Sequence, residues 1–444
     1  MKNRNELALF GGPKTVSDES GDMFTWPIVT KEHESAVLEV LRAGNMSGLD
    51  VTKEFENRYA EAIGMKYALA CNNGTAAIHS AFFGMGIGVG DEVICPSLTY
   101  WASIISVYSL GATPVFAEVA PDTLCLDPND IEHRITPRTK AIVVVHYAAM
   151  PAEMDAIMAV ARKHGVKVFE DCSHAHGALY KGKEVGTIGD ASGFSLMSGK
   201  SFVTGEGGIM FTNHQETFER ALLFGHYARH GEIELEEPKR WIGLPCGGVK
   251  YRMHQLSSAF GLVQLKLYPQ QMAEIDKAMN TFCDLLEGTP GVKPIRPEKG
   301  SNTTKGGWYF SRAKFDGQEL GGLSVRRFSE AVEAEGSICG EGCNKPLHTH
   351  PLFSEMDVYG HGKPTRQANL PESVDVVQSE GSLPISERIN GEVCGIPWFK
   401  HFRPDVIEQH AEAFKKVAAN YEDLLESDKD KEQDGGGYSS FRRS

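Results

Sequence analysis

No stretch of this 444-residue chain is apolar and charge-free for long enough to span a bilayer. The patch Ala8, Leu9 and Phe10 behind Met1-Lys-Asn-Arg-Asn-Glu is too short for a secretory signal core, so a cytoplasmic protein is expected. Net positive charge is also lacking. The 45 basic residues against 59 acidic ones leave −14, which opposes binding to phosphate backbones and anionic membranes, and neither nucleic acid nor membrane is expected as a partner. Among nine cysteines from Cys71 to Cys394 there is no C-x-x-C pair to suggest zinc or a dithiol redox site; Cys339 and Cys343 come nearest. They read as reduced, mostly buried thiols. Internal repeats are absent. What remains, 41% hydrophobic and 23% charged residues, suits a soluble globular protein long enough for two domains.

Between about Tyr67 and Asn213, short runs rich in Val, Ile and Ala alternate with segments of helical period, which predicts an α/β fold with a mostly parallel sheet covered by helices. The expected strands are Tyr67 to Cys71, Glu92 to Pro96, Pro114 to Val119, Ala141 to His146, Val166 to Asp171, and Gly208 to Thr212. A helix over Met154 to His164 should end at Gly165. From Met253 a long amphipathic helix runs towards Leu286 and reads as a connector. Beyond it are expected a strand at Gly307 to Phe315, a helix at Ser324 to Glu335 and a last helix from Asp405 to Leu425. In that last helix Ile407, Phe414, Val417, Tyr421 and Leu424 share one stripe. The expected organisation is an N-terminal arm (1–25), a large domain (26–265), a smaller C-terminal α/β domain including the connector (266–426) and a disordered tail (427–444), charged and then rich in Gly and Ser.

The chemistry concentrates in Val168-Phe-Glu-Asp-Cys-Ser-His-Ala-His-Gly and, some twenty residues on, in Gly193-Phe-Ser-Leu-Met-Ser-Gly-Lys-Ser-Phe-Val-Thr-Gly-Glu-Gly-Gly. A carboxylate at the carboxyl end of a buried strand and a lysine on the loop after the next strand reach one crevice, where open sheets bind ligands. Asp171 is placed to pair with a protonated pyridine nitrogen and Lys200 to form an imine with a cofactor aldehyde. Blander readings exist. Gly199-Lys200-Ser201 mimics the end of a P-loop, but Gly193 lies one residue too far upstream and the following residues lead into a strand rather than a helix. A lysine in a glycine-rich loop is usually solvated, and an Asp at a strand end is usually a turn residue. In Cys71-Asn-Asn-Gly-Thr-Ala-Ala-Ile a strand gives way to a helix whose free N–H groups suit a phosphate, with the Thr75 hydroxyl as a further donor; ordinary capping by Asn73 or Thr75 is the alternative. The run Gly84-Met-Gly-Ile-Gly-Val-Gly reads as a turn.

Taken together, Asn73-Gly-Thr-Ala-Ala, Gly90-Asp-Glu-Val-Ile, Pro96-Ser-Leu-Thr-Tyr, Glu170-Asp-Cys-Ser-His-Ala-His-Gly, Phe194-Ser with Lys200, Gly205-Glu-Gly-Gly and Tyr251-Arg-Met stand in one order over most of the chain. That series resembles the DegT/DnrJ/StrS family of aminotransferases, which act on nucleotide-linked keto-sugars and on keto-cyclitols. The start, Leu7-Ala-Leu-Phe-Gly-Gly-Pro-Lys-Thr-Val, is similar to members that aminate cyclitols or make aminated aromatic precursors. The resemblance implies the fold-type I architecture of pyridoxal phosphate enzymes and pyridoxal 5'-phosphate as cofactor. It implies Lys200 as the Schiff-base lysine and Asp171 as partner of the ring nitrogen. Gly74, Thr75 and Ser195 fall to the phosphate, and Tyr100 to an aromatic contact with the cofactor.

Two positions depart from the family pattern. His174 stands where many members have a glutamine near the phenolic oxygen, and Lys250 stands where many have an asparagine that reaches the neighbouring subunit's phosphate. A homodimer with shared sites is thereby implied. The dehydratase branch replaces the Schiff-base lysine with histidine, so Lys200 favours amino transfer from glutamate or glutamine, by ping-pong kinetics, over dehydration or elimination. A non-catalytic regulator that kept the cofactor scaffold is the remaining alternative. His226, Arg229, His230, His348 and His350 are further polar residues to follow, with surface or capping roles as their ordinary reading.

Overall fold

The computed structural model describes residues 6–17, 21–374 and 376–428. Its main sheet is built from β1 (Tyr67–Cys71), β2 (Glu92–Pro96), β3 (Thr113–Ala117), β4 (Thr139–Val145) and β5 (Lys167–Asp171). After a short hairpin, β6 (Leu179–Tyr180) and β7 (Lys183–Glu184), it is completed by β8 (Ala191–Ser195) and β9 (Gly208–Thr212). The order is β1-β9-β8-β5-β4-β2-β3, and only β9 runs against its neighbours. Ile142 to Val145 are buried, as a strand covered on both faces requires. The expected α/β fold is therefore found. In this arrangement the carboxyl ends of β1, β2, β4, β5 and β8 open on one edge, and the chain places its chemistry there.

Several elements lie where the residue pattern puts them, including β1, β2, β9 and the helix Met154–His164, which ends at Gly165 with φ 66°, a left-handed conformation that favours glycine. The long helix spans Gln255–Leu285. Other expectations need correction. Strand β8 was not among the expected strands, because Ala-Ser-Gly-Phe-Ser has little strand character of its own; pairing with β5 and β9 on either side makes it one. The expected strand Gly307 to Phe315 is extended only from Arg312, since Trp308 and Phe310 take positive φ of 55° and 59°. The last helix is two, Pro404–Ala419 and Glu422–Leu425, broken at Asn420, whose side-chain amide donates to the Lys416 carbonyl at 2.8 Å.

A smaller antiparallel sheet joins β10 (Val292–Pro294), β11 (Arg312–Phe315) and β12 (Val393–Gly395). Residues between β11 and β12 also reach back to the main sheet. The Gln378 side chain accepts from the Phe116 N–H at 2.8 Å and donates to the Phe116 carbonyl at 2.6 Å, standing in for a missing strand along edge strand β3. The buried Glu118 carboxylate accepts from the N–H groups of Ile385 and Ser386, 2.9 Å each. At the N-terminal end, the buried Glu335 carboxylate accepts from the Ala8 N–H at 2.8 Å and the Thr15 hydroxyl at 2.7 Å, tying 6–17 to the helix Val325–Ala334. Of the expected tail, Ser427 and Asp428 are held by hydrogen bonds: Ser427 accepts from Arg327 Nη2 at 2.7 Å, and Asp428 accepts from the Ser324 N–H and hydroxyl at 2.7 and 2.6 Å. Residues 429–444 lie outside the described residues. Among the described residues no helix is long and apolar enough to cross a membrane.

Candidate active site

Asp171 ends β5 and is 4% exposed. Its Oδ2 accepts from the Ser103 hydroxyl at 2.6 Å and its Oδ1 from the Ser173 N–H at 3.0 Å, while Ser103 pairs with the Thr99 hydroxyl at 3.0 Å. Ser103 was missed by reading residues alone; its position four after Thr99, just past β2, is the signal that was available. The neighbouring Glu170 points the other way, into the protein. Burial alone would raise its pKa, but His146 and the N–H groups of Gly189 and Gly186 outweigh that and hold it below the usual range. With the Ile188 N–H also donating, its oxygens are occupied, so the buried trio His146, Glu170 and Cys172 reads as a structural anchor rather than a metal centre.

Lys200 follows β8 on a turn, and the Trp26 indole N–H, distant in sequence, donates to the Lys200 carbonyl at 2.7 Å. Its Nζ lies 4.2 Å from the ring centroid of Tyr309. Burial brings its pKa from 10.5 down to about 8, against the pull of Asp171 in the other direction. His174, three residues after Asp171, is packed among Tyr309, Tyr147 and Phe310, with ring centroids 4.8, 5.5 and 5.6 Å away. Burial, then the positive charges of Lys200 and Arg312, push its pKa well below the usual value, so the ring is neutral. Its Nδ1 is buried and without a hydrogen-bond partner among the described residues.

At the end of β1 the helix Gly74–Gly84 begins, and Asn73 caps it by accepting from the Ala76 N–H at 2.8 Å. That leaves the half-buried Thr75 hydroxyl without a hydrogen bond to other described residues. Gly74 backs onto Ser195: a Cβ here would come within 2.7 Å of the Ser195 Cβ and 2.9 Å of its Cα, so only glycine lets the helix start this close to β8. Tyr100 is half-buried beside Trp101, ring centroids 4.7 Å apart, and burial raises its hydroxyl pKa. Lys250 is exposed and lines a separate hollow of about 190 Å³ with Leu49, His226 and Arg252. Its neighbour Tyr251 is tied to the loop before the helix Gly74–Gly84, the Asn72 N–H donating to the Tyr251 carbonyl at 2.8 Å.

The structure thus gathers Asp171, His174 and Lys200 with Gly74, Thr75 and Ser195 along the carboxyl edge of the sheet. The other polar residues do structural work: Arg229 pairs with Glu56 and Glu232, His226 meets the Ala70 carbonyl, His230 accepts from the Gly243 N–H, His348 bridges Ser97 and Glu387, and His350 caps a short helix. The sequence reading missed the aromatic wall of Trp26, Tyr147, Tyr309, Phe310 and Trp398.

Over residues 27–396 the chain matches the model of the DegT/DnrJ/EryC1/StrS aminotransferase family. The chain belongs to that family. It is 31% identical to the L-glutamine:scyllo-inosose aminotransferase of Streptomyces griseus over 436 residues, 95% of this chain and 99% of that protein. It is also 31% identical to the spore coat polysaccharide biosynthesis protein SpsC of Bacillus subtilis over 375 residues, 82% of this chain and 91% of that one. Among solved structures, the aminotransferase from Psychrobacter cryohalolentis superposes with a TM-score of 0.77 at 30% identity, covering 90% of this chain and all of that one. This chain is accordingly an aminotransferase of a family that aminates sugars and cyclitols with pyridoxal phosphate.

Proposed function

We propose that the protein moves an amino group from glutamate or glutamine to a keto-cyclitol or a nucleotide-linked keto-sugar, with pyridoxal 5'-phosphate attached to Lys200. The observation that carries this reading is a buried lysine of lowered proton affinity, with the Asp171 charge acting on it, at the carboxyl edge of this family's sheet. Three features of the chain fit the cofactor. The missing Cβ at Gly74 brings the helix start against Ser195, and among the described residues the Thr75 hydroxyl is unengaged after Asn73 has done the capping and the buried His174 Nδ1 has no partner.

When bound, pyridoxal phosphate stores the amino group between the two half-reactions by drawing electrons from the carbon that carries it. Lys200 supplies an amine that is unprotonated in a large share of molecules near pH 8, able to take and return the proton at the donor's Cα. Asp171, fixed by Ser103 and Ser173, would pair with the ring nitrogen. Thr75, Ser195 and the helix N–H groups would hold the phosphate, Tyr100 would supply an aromatic contact, and His174 would serve the phenolic oxygen. The proposal includes a homodimer in which the exposed Lys250 of one copy reaches the phosphate of the other.

The test is a half-reaction. Glutamate or glutamine added to the cofactor-loaded protein should bleach the absorbance of the lysine-bound cofactor, and a keto acceptor should restore it. A loaded protein indifferent to every α-amino acid would refute amino transfer and favour a regulator. Because its relative acts on scyllo-inosose, free keto-cyclitols come first in the acceptor screen, followed by keto-sugar nucleotides.

A further inference from the structure

Arg312 is a fixed cation that no acid among the described residues balances. It opens β11, and its Nε donates to the Gly342 carbonyl at 2.9 Å, while Nη1 donates to the carbonyls of Phe310 and Ser311 at 3.4 and 3.1 Å. A guanidinium has five N–H donors, so these three bonds leave two, both on Nη2. The guanidinium carbon lies 3.5 Å from the centroid of the Phe310 ring, which holds the plane in place. Among the described residues no carboxylate pairs with Arg312; its partners are neutral carbonyls. A half-buried guanidinium locked this way is poised for an anion from outside the chain.

Its position identifies the anion. Phe310 packs on His174 and stacks with Tyr309 at 6.1 Å, and Tyr309 lies 4.2 Å from Lys200 Nζ, so the Phe310–Tyr309 pair connects Arg312 to the lysine. Its charge is felt by His174, Tyr309 and Tyr147. His174, whose buried Nδ1 has no partner among the described residues and is given above to the cofactor, ties Phe310 to the cofactor side of the crevice. An amino-acid donor must bring its amine to Lys200 and carries a carboxylate on the adjoining carbon. We infer that Arg312 reads that carboxylate through its free Nη2 edge and so selects α-amino acids as donors; this rests on the amino-transfer reading above.

The test is calorimetric titration of the cofactor-loaded protein with 2-oxoglutarate, with its dimethyl ester and with UDP. The acid should bind at least tenfold more tightly than the ester. Arg312→Met should lose that preference, and Arg312→Lys should keep part of it as a point charge without the planar fork. Thermal unfolding and cofactor absorbance establish that each variant is folded. If either folded variant binds 2-oxoglutarate within twofold of wild type, or wild type does not separate acid from ester, the assignment is overturned. It is equally overturned if Arg312→Met loses UDP alone, since the guanidinium would then serve an acceptor's diphosphate. Keto-acid binding that depends on Arg312 in a protein that transfers no amino group would leave this inference standing and refute the proposed function instead.

Discussion

Lys200 and Lys400 are buried in the same aromatic neighbourhood, 9% and 3% exposed, and burial lowers both pKa values, to about 8 and to about 5. Lys400 lies against the Trp398 ring and near Trp26, with only desolvation acting on it. Lys200 differs in what surrounds it: Asp171 pulls its proton affinity back up, the chain reaches it from the end of a sheet strand, and a helix start waits beside Ser195. Depressed basicity by itself therefore does not mark the reactive amine. An amine near 8 can both carry and release a proton around neutrality, whereas one near 5 stays uncharged and contributes a burial cost.

The comparison is broken most severely by removing what Lys200 has and Lys400 lacks. Asp171→Asn keeps the shape and removes the charge, and the half-reaction with the amino donor should slow by about 100-fold or more, the scale of losing a positioned catalytic group. Cofactor binding should survive better than rate. Stopped-flow absorbance measures both, and near-wild-type half-reaction rates would end the role given to Asp171.

A mixing experiment sharpens the assignment from the other side. If Lys200 acts in one copy and Lys250 in the next, Lys200→Ala and Lys250→Ala proteins, each impaired alone and shown to exchange subunits, should recover activity on mixing. Random pairing leaves roughly a quarter of all sites intact, as two-fold symmetry requires. Exchange without recovery above the sum of the separate mutants would confine Lys250 to its own chain.

The smallest effect on activity is expected at Lys400. Near neutral pH the unfolded chain holds a proton on this amine that the folded chain does not, so its burial costs stability, and the cost grows as pH falls from the ordinary lysine range until the folded amine charges near 5. Lys400→Met should stabilise the fold by about 1–3 kcal/mol at pH 7, with the gain shrinking towards pH 10, while turnover changes less than twofold. Denaturant melts across pH measure the gain; a loss of stability would show that Lys400 has a partner that matters.

The same contrast explains what could be read from the sequence. Contiguous runs ending in Cys71-Asn-Asn-Gly and Glu170-Asp171 announce both a strand and the residue at its end, so the floor of the crevice was legible. Its wall was not. Trp26, Tyr309, Phe310, Arg312 and Trp398 come from segments that meet only in the folded chain. The positive φ at Trp308 and Phe310 that turns the wall inward leaves no trace in residue types that otherwise suggest a strand. Strand β8 was hidden for a related reason, since its neighbours, not its residues, make it extended. The role proposed for Lys250 depends on a second copy, and one chain's geometry shows only that the lysine is exposed.

Borohydride reduction of the cofactor-loaded protein followed by peptide mapping tests the central claim most directly, because it fixes the cofactor to whichever amine holds it. The label should fall on Lys200, and Lys200→Ala should lose the absorbance of the attached cofactor. Label on Lys400 or any other lysine, or an unaltered spectrum in Lys200→Ala, would contradict the account.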